Sequence, residues 1–537
     1  MNWYKSTKNL IYWLRPLCLV SCLTLFGFNS MNAAQGSEKL APELRRPGQA
    51  GLVDVIVTYK VAPVARHHDR ARQLGGSVEH QFEATRGAHY RMPAGALEAL
   101  AEDPDVDFVS PDRQVQGLLN YTRAAVGADV AHASGHDGGG VGVAVIDSGI
   151  ADLADFKNGK NSRIVYSQSF VGGTADDEYG HGTHVAGILG ASGAGGYGVY
   201  EGVAPAVSII NLKALDKNGT GSDSAVIAAI NRAIQLKSKY NIRVINLSLG
   251  RPVYSSYTQD PLCQAAEAAW NAGIVVVVAA GNDGRNNSKG TNGYATITAP
   301  GNDPYVITVG AMKAMGTMGT WDDRIASYSS KGPTILDHVV KPDLVAPGNR
   351  VVSVLPAGMT LSKQYPTNSY AGGHFQLSGT SMAAPVVSAA AAMLIEDDDS
   401  LRPDEVKAIL MRTASRSFPT SSSIWDAATN TTYTSYYDLF TVGAGYLDIV
   451  SALVNRSRSF GSAKSPTASW DAVSGRVVLS GISGANVVWG SNVVWGSNVV
   501  WGSATMAGFN VVWGSNVVWG SSQESGEANK LVIAGEN

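Results

Sequence analysis

The alternation of apolar and polar positions changes its period along the chain, and each change marks a different kind of structure. Residues 53–59 alternate as a strand, 64–74 carry helical spacing, and 77–82 and 89–92 are two further extended pieces. A short helix over 95–102 and a last strand over 106–109 complete the set, with the turn between them punctuated by Asp103-Pro104. This βαββαβ order predicts a small α+β unit of ~60 residues, near the lower limit for an independent core. A polar, loop-like stretch is expected from Asp112 to about Arg123.

From about 124 to 452 the pattern becomes strands alternating with helices. Residues 141–146, 207–212, 244–249 and 274–280 are near-continuous apolar runs, as in strands covered on both faces of a parallel sheet. Between them, 224–236 place Val226, Ile227, Ile230 and Ile234 on one helical face. The fold class predicted is α/β: a three-layer α/β/α domain with a mostly parallel sheet, preceded by the small α+β domain.

The two ends differ from this middle. Lys5, Lys8 and Arg15 precede an apolar run over 17–28 and then Ala33-Ala34, the layout of an export signal cleaved near residue 34. A retained membrane anchor is disfavoured, because the run falls short of the ~20 residues that span a bilayer. Lipid attachment at Cys22 is disfavoured too, because the apolar stretch continues beyond it. No later segment is expected to span. At the far end, Asn-Val-Val-Trp-Gly-Ser begins at Asn486, Asn492, Asn498, Asn510 and Asn516, and holds five of the 11 tryptophans. Short stacked strands, a pairing edge and an exposed adhesive tail all remain open for it, as does binding to a surface or partner. The boundaries expected are 1–34 for the signal, 41–120 for the small domain, 121–455 for the large one and 456–537 for the repetitive tail.

Composition adds little against this picture. A 45% apolar and 16% charged chain buries a large core, and a net charge of −3 offers no basic surface for nucleic acid. Cys18 and Cys22 fall in the export signal, which leaves Cys263 without an internal disulfide partner. It sits in an Ala-rich helical pattern, as a small buried apolar residue would.

Three segments carry candidate chemistry. Asp147 follows the run 141–146, His181 opens a small-residue helix in Gly-His-Gly-Thr-His, and Ser381 opens an apolar helix in Gly-Thr-Ser-Met-Ala-Ala-Pro. Taken singly, a turn-capping Asp, a structural His and an N-cap Ser explain them. In the order Asp, His, Ser, all at element ends, they match one arrangement of the serine-nucleophile triad. Together with Gly202-Val203-Ala204-Pro205, Ala279-Ala280-Gly281-Asn282 and the segment 342–348, they resemble the subtilisin-like serine proteases, the subtilase family. The likeness extends over about 124–452.

That resemblance implies a secreted serine endopeptidase acting on proteins or peptides. Ser381 is then the nucleophile, His181 the base and Asp147 its orienting carboxylate, with Asn282 and the Ser381 N–H holding the oxyanion; His184 is structural. It implies that Ser248-Leu249-Gly250 and Gly219-Thr220-Gly221 flank the substrate strand, although the latter also reads as a simple turn. Residues 41–120 become a propeptide that inhibits its own enzyme, self-cleaved near 117–121. The chemistry needs no cofactor; structural calcium at Asp155 is the one metal expected, with a loop over 192–200 that lacks the family's usual Asn. Residues 359–376 look like an insertion before the nucleophile, with His374 incidental in it. An esterase is disfavoured by the missing Gly-x-Ser-x-Gly elbow, and a purely adhesive role by the intact triad.

Overall fold

The computed structural model describes residues 38–45, 51–112, 118–196, 200–481 and Glu536, apart from positions 84, 289, 427–428, 459–460, 472 and 474–475. The export signal and the Trp repeats lie outside the described residues. The chain divides into two compact units, 1–115 and 116–537.

In the first unit β1 (Leu52–Tyr59), α1 (Ala65–Gln73), β2 (Ser77–Phe82), β3 (Gly87–Pro93), α2 (Leu97–Ala101) and β4 (Val106–Pro111) follow in that order. The sheet runs β2-β3-β1-β4, antiparallel throughout. Alternate residues of β1 and β3, among them Val55, Val57, Tyr90 and Met92, point into one core with Leu97, Leu100 and Val106. Tyr59 and Tyr90 bury their rings and satisfy their hydroxyls on each other at 2.9 Å.

The second unit is built on an eight-stranded sheet. Its strands are β5 (Gly142–Asp147), β6 (Ile164–Ser169), β7 (Ser208–Lys213), β8 (Ile242–Leu247), β9 (Val275–Ala279), β10 (Ile307–Lys313), β11 (Arg324–Ile325) and β12 (Leu344–Pro347). They lie in the order β11-β10-β9-β8-β5-β7-β6, with β12 also paired to β10, and all but β11 are parallel. Every residue of β5 and β9 is buried, so both faces of the sheet centre are covered. The covering helices are α3 (His181–Gly190), α4 (Asp223–Tyr240), α5 (Pro261–Asn271) and α7 (Thr380–Asp397). Helices α4 and α5 pack on each other, and α3 packs on α7. Cys263 is buried within α5, its thiol donating to Asn302 Oδ1 at 3.3 Å, and burial pushes its pKa well up.

Three features depart from the sequence expectations. The polar stretch before Arg123 is not all loop: Leu118–Ala125 is a helix that buries Thr122, Arg123 and Ala125. The strand expected to reach Leu249 ends at Leu247, and the Ser248 carbonyl beyond it accepts the Ser381 hydroxyl instead of a ladder N–H. The insertion expected over 359–376 is not a bare loop: it carries the short helix α6 (Thr360–Gln364), β14 (Ser369–Tyr370) and most of β15 (His374–Leu377), and β15 pairs with β13 (Val351–Val354) just before it to complete a three-stranded sheet. Beyond α8 (Pro403–Thr413), a hairpin of β16 (Ser421–Asp426) and β17 (Thr431–Tyr436) precedes the end of the domain. A last hairpin, β18 (Thr467–Asp471) and β19 (Arg476–Ser480), lies past residue 455 and packs Ala468 and Val477 against Val340, Met411 and Phe440.

Candidate active site

The connection leaving β5 runs toward β6, while the one leaving β8 runs the other way to β9. In an open α/β sheet, the crevice at the carboxyl ends of two such strands is where ligands bind. Asp147 ends β5, and Ser248 follows β8 at the same level, since Val145 is in register with Asn246.

Asp147 is buried, and its Oδ1 accepts from the Ser148 N–H at 2.7 Å and from His181 Nδ1 at 2.8 Å. That bond makes Nδ1 the protonated nitrogen of a neutral His181 and leaves Nε2 as an acceptor. Burial pulls the His181 pKa down, but the charge and hydrogen bond of Asp147, with Asp177 beyond, outweigh it and leave the value above the ordinary one. The helix α3 can start this close to β5 only because residue 182 is glycine: a Cβ there would lie 2.2 Å from Gly149 O.

Asp177 went unnoticed in the sequence. Its Oδ1 accepts from Ser148 Oγ and from the N–H groups of Tyr179 and Gly180, and its Oδ2 accepts from the N–H and hydroxyl of Thr183. It therefore satisfies the free donors at the start of α3 and ties that start to the turn after Asp147. The sequence offered only an acid four residues before His181, which by itself does not announce that role. His184, one turn on, donates from Nε2 to Phe375 O at 2.9 Å, and burial lowers its pKa to about 3, so it stays neutral and structural.

Ser381 stands at the second residue of α7 and is partly exposed. Pro385 lies four residues later and has no N–H to give the Ser381 carbonyl. Ser248 Oγ supplies that bond at 2.8 Å, and receives one in turn from Asn246 Nδ2 at 2.9 Å; Asn246 Oδ1 accepts from Ser388 Oγ at 2.9 Å. The helix is thus fastened to β8 at two points a turn or two apart. Ser381 Oγ itself donates to Ser248 O at 3.1 Å, so in this state the hydroxyl rests on the β8 end.

Asn282 follows β9. Its Oδ1 accepts from the Thr380 N–H at 2.9 Å and the Thr380 hydroxyl at 3.1 Å. A backbone N–H can only meet the oxygen of the amide, so the NH₂ end is the one left to donate elsewhere. Gly281, at φ +106°, makes the turn; a Cβ would meet Ser330 Oγ and Thr298 Cγ2 at 2.8 Å.

The segments expected to flank substrate lie on the rim. Ser248 is buried, while Leu249 is half-buried and Gly250 is exposed past the strand end. Arg251 then anchors the rim, donating to both Asp223 and Asp260. Gly219-Thr220-Gly221 closes a turn on Asp216, whose Oδ1 accepts the N–H groups of Asn218 and Thr220. That turn sits on the Tyr179 ring. The insertion is joined to the same place: the Thr360 and Leu361 N–H groups donate to the Glu178 and Tyr179 carbonyls, and the Thr360 hydroxyl donates to Lys217 O. His374 is buried in β15, its ring tilted against that of Tyr200.

Asp155 is buried away from this crevice, and its Oδ1 accepts the Gly195 N–H at 3.1 Å. Among the described residues no three His, Cys, Asp or Glu side chains gather as a metal cluster. Part of the neighbouring loop, 197–199, lies outside the described residues.

A sequence model of the subtilase family matches residues 138–445, and the chain belongs to that family. The serine protease AprX of Bacillus subtilis (strain 168) is 36% identical over 327 residues, 59% of this chain and 71% of the relative. Subtilisin E of the same strain is 31% identical over 406 residues, 75% of this chain and 93% of the relative. An extracellular serine proteinase of Thermus sp. (strain Rt41A) is 32% identical over 348 residues, covering 63% and 73%. The protein is a serine endopeptidase acting on protein substrates. Among the described residues no helix is long and apolar enough to cross a membrane.

Proposed function

We propose that the endopeptidase works through Asp147, His181 and Ser381, is exported by the signal at 1–34, and is made as a zymogen that cleaves itself. The observation that carries this reading is the Asp147–His181 bond at the switch-point crevice, with the Ser381 helix fastened to the adjacent strand end. On substrate binding, the Ser381 hydroxyl leaves Ser248 O and turns to His181 Nε2, which takes its proton as Oγ attacks the scissile carbonyl. Asp147 holds the imidazole in place and stabilises the cation it becomes. The Asn282 NH₂ and the Ser381 N–H receive the oxyanion, aimed before the charge forms. His181 then gives the proton to the leaving amine, and water repeats the cycle on the acyl-enzyme.

The rims ending in Gly250 and Gly219-Thr220-Gly221 are the edges on which an extended peptide adds as a strand. The small unit serves as the inhibitory propeptide. In the same reading Asp155 would supply a carboxylate oxygen to a structural calcium, a ligand type that ion prefers. Ser381→Ala tests the nucleophile and the self-cleavage: casein hydrolysis and release of the small unit should both stop, with the two units still joined on a gel. Processing that persists in the pure variant overturns the self-cleavage, and remaining hydrolysis overturns the nucleophile.

A further inference from the structure

Glu536 lies far along the chain from the last hairpin, yet it is buried in the peptidase unit. Its carboxylate receives Arg285 Nη2 at 3.0 Å, the Ser327 N–H at 3.1 Å and the Ser327 hydroxyl. Its own peptide is read by one side chain: the Glu536 N–H donates to Asn349 Oδ1 at 2.9 Å, and Asn349 Nδ2 donates to Glu536 O at 3.0 Å. Arg285 is held for this task from the other side, with its guanidinium on Asp426 at 2.5 Å and over the Tyr433 ring. A carboxylate is buried at such a place only when its charge and hydrogen bonds are met, and here both are. The paired bonds to Asn349 add recognition of an extended backbone, which a site serving only to neutralise Arg285 would not need.

We infer that Arg285, Ser327 and Asn349 form a docking site for the Glu536 segment of this same chain. The β18–β19 hairpin before the Trp repeats and Glu536 after them are thus both held on the same unit. Arg285 lies three residues past Asn282 in sequence.

The test uses the full chain with Ser381→Ala, to prevent self-digestion. Hydrogen exchange at the Ser327 amide should be at least tenfold faster in Glu536→Ala and Glu536→Gln, with a lower Tm in both. A synthetic peptide of residues 531–537, added to the Glu536→Ala chain, should restore protection, and the same peptide with Gln at 536 should not. Unchanged exchange and Tm in both variants overturn the docking. Equal protection by the two peptides overturns the recognition of the carboxylate.

Discussion

At the scale of single residues, the pairing of His181 with Asp147 sets a pH dependence whose sign can be worked out. In the mechanism proposed above only neutral His181 accepts the Ser381 proton, and Asp147 favours the cation. The acid limb of kcat/KM should therefore have its midpoint above the ordinary histidine value of about 6.5. Asp147→Asn should lower kcat by about 10⁴-fold and move that limb toward more acid pH, measured with a soluble peptide substrate. The pairing also bears on stability. Because the folded pKa is raised, the pair's contribution is full below the unfolded value and fades as pH rises through the folded one. The element ends that carry Asp147, His181 and Ser381 were legible in the sequence because each residue stands beside small residues that mark such an end. Asp177 was not, because its role is to accept bonds from Ser148, Tyr179, Gly180 and Thr183, and nothing in the spacing announces that such donors converge. The role of Ser248 was half hidden for a related reason: it completes a bond that Pro385, far away in sequence, leaves open.

At the scale of elements, the start of α3 against the end of β5 is the tightest constraint on the site. Gly182→Ala would place a methyl 2.2 Å from Gly149 O and 3.1 Å from the Asp147 Cβ. We expect that variant to lose about 1–3 kcal/mol of stability, read by urea unfolding with Ser381→Ala present, and to cut activity further as His181 shifts. The buried parallel strands announced themselves by unbroken apolar runs such as 141–146 and 274–280, and the helices by their period. The sheet of β13, β14 and β15 did not. Its strands are short, and its partners lie on either side of a helix and two turns, so no local period exposes them. What fixes its place is tertiary: Phe375 O receives His184, and the first residues of α6 bond to Glu178 and Tyr179 just before His181. The expected insertion is thereby tied to the residues just before His181 and to His184.

At the scale of the whole peptidase unit, one buried charge cluster joins distant segments. Asp343 accepts Lys341 Nζ at 2.7 Å, Lys407 Nζ at 3.1 Å and Ser465 Oγ at 2.6 Å, with all three charges wholly buried. Burial opposes the Asp343 carboxylate, yet Lys341 and Lys407 hold its pKa below the usual range. Burial draws Lys407 down to about 7. Asp343→Asn would leave two ammonium groups short of their counter-charge, at a cost of about 3–5 kcal/mol. We expect a lower Tm and a loosened β18–β19 hairpin, since Ser465 leads into it; hydrogen exchange over 465–480 reads the second effect. Composition could not reveal this cluster, since Asp343 sits in a segment recognised as a family motif and Ser465 lies past the expected domain end.

The thiol of Cys263 carries a last consequence. It is sealed inside α5, bonded to Asn302, with its pKa pushed up so that the reactive thiolate is scarce. The packed peptidase unit therefore holds its shape through core and charge, indifferent to the redox potential around it. Surroundings rich in glutathione, where a cystine-stapled enzyme would come undone, leave it nothing to lose, and thiol-directed oxidants find its one cysteine buried.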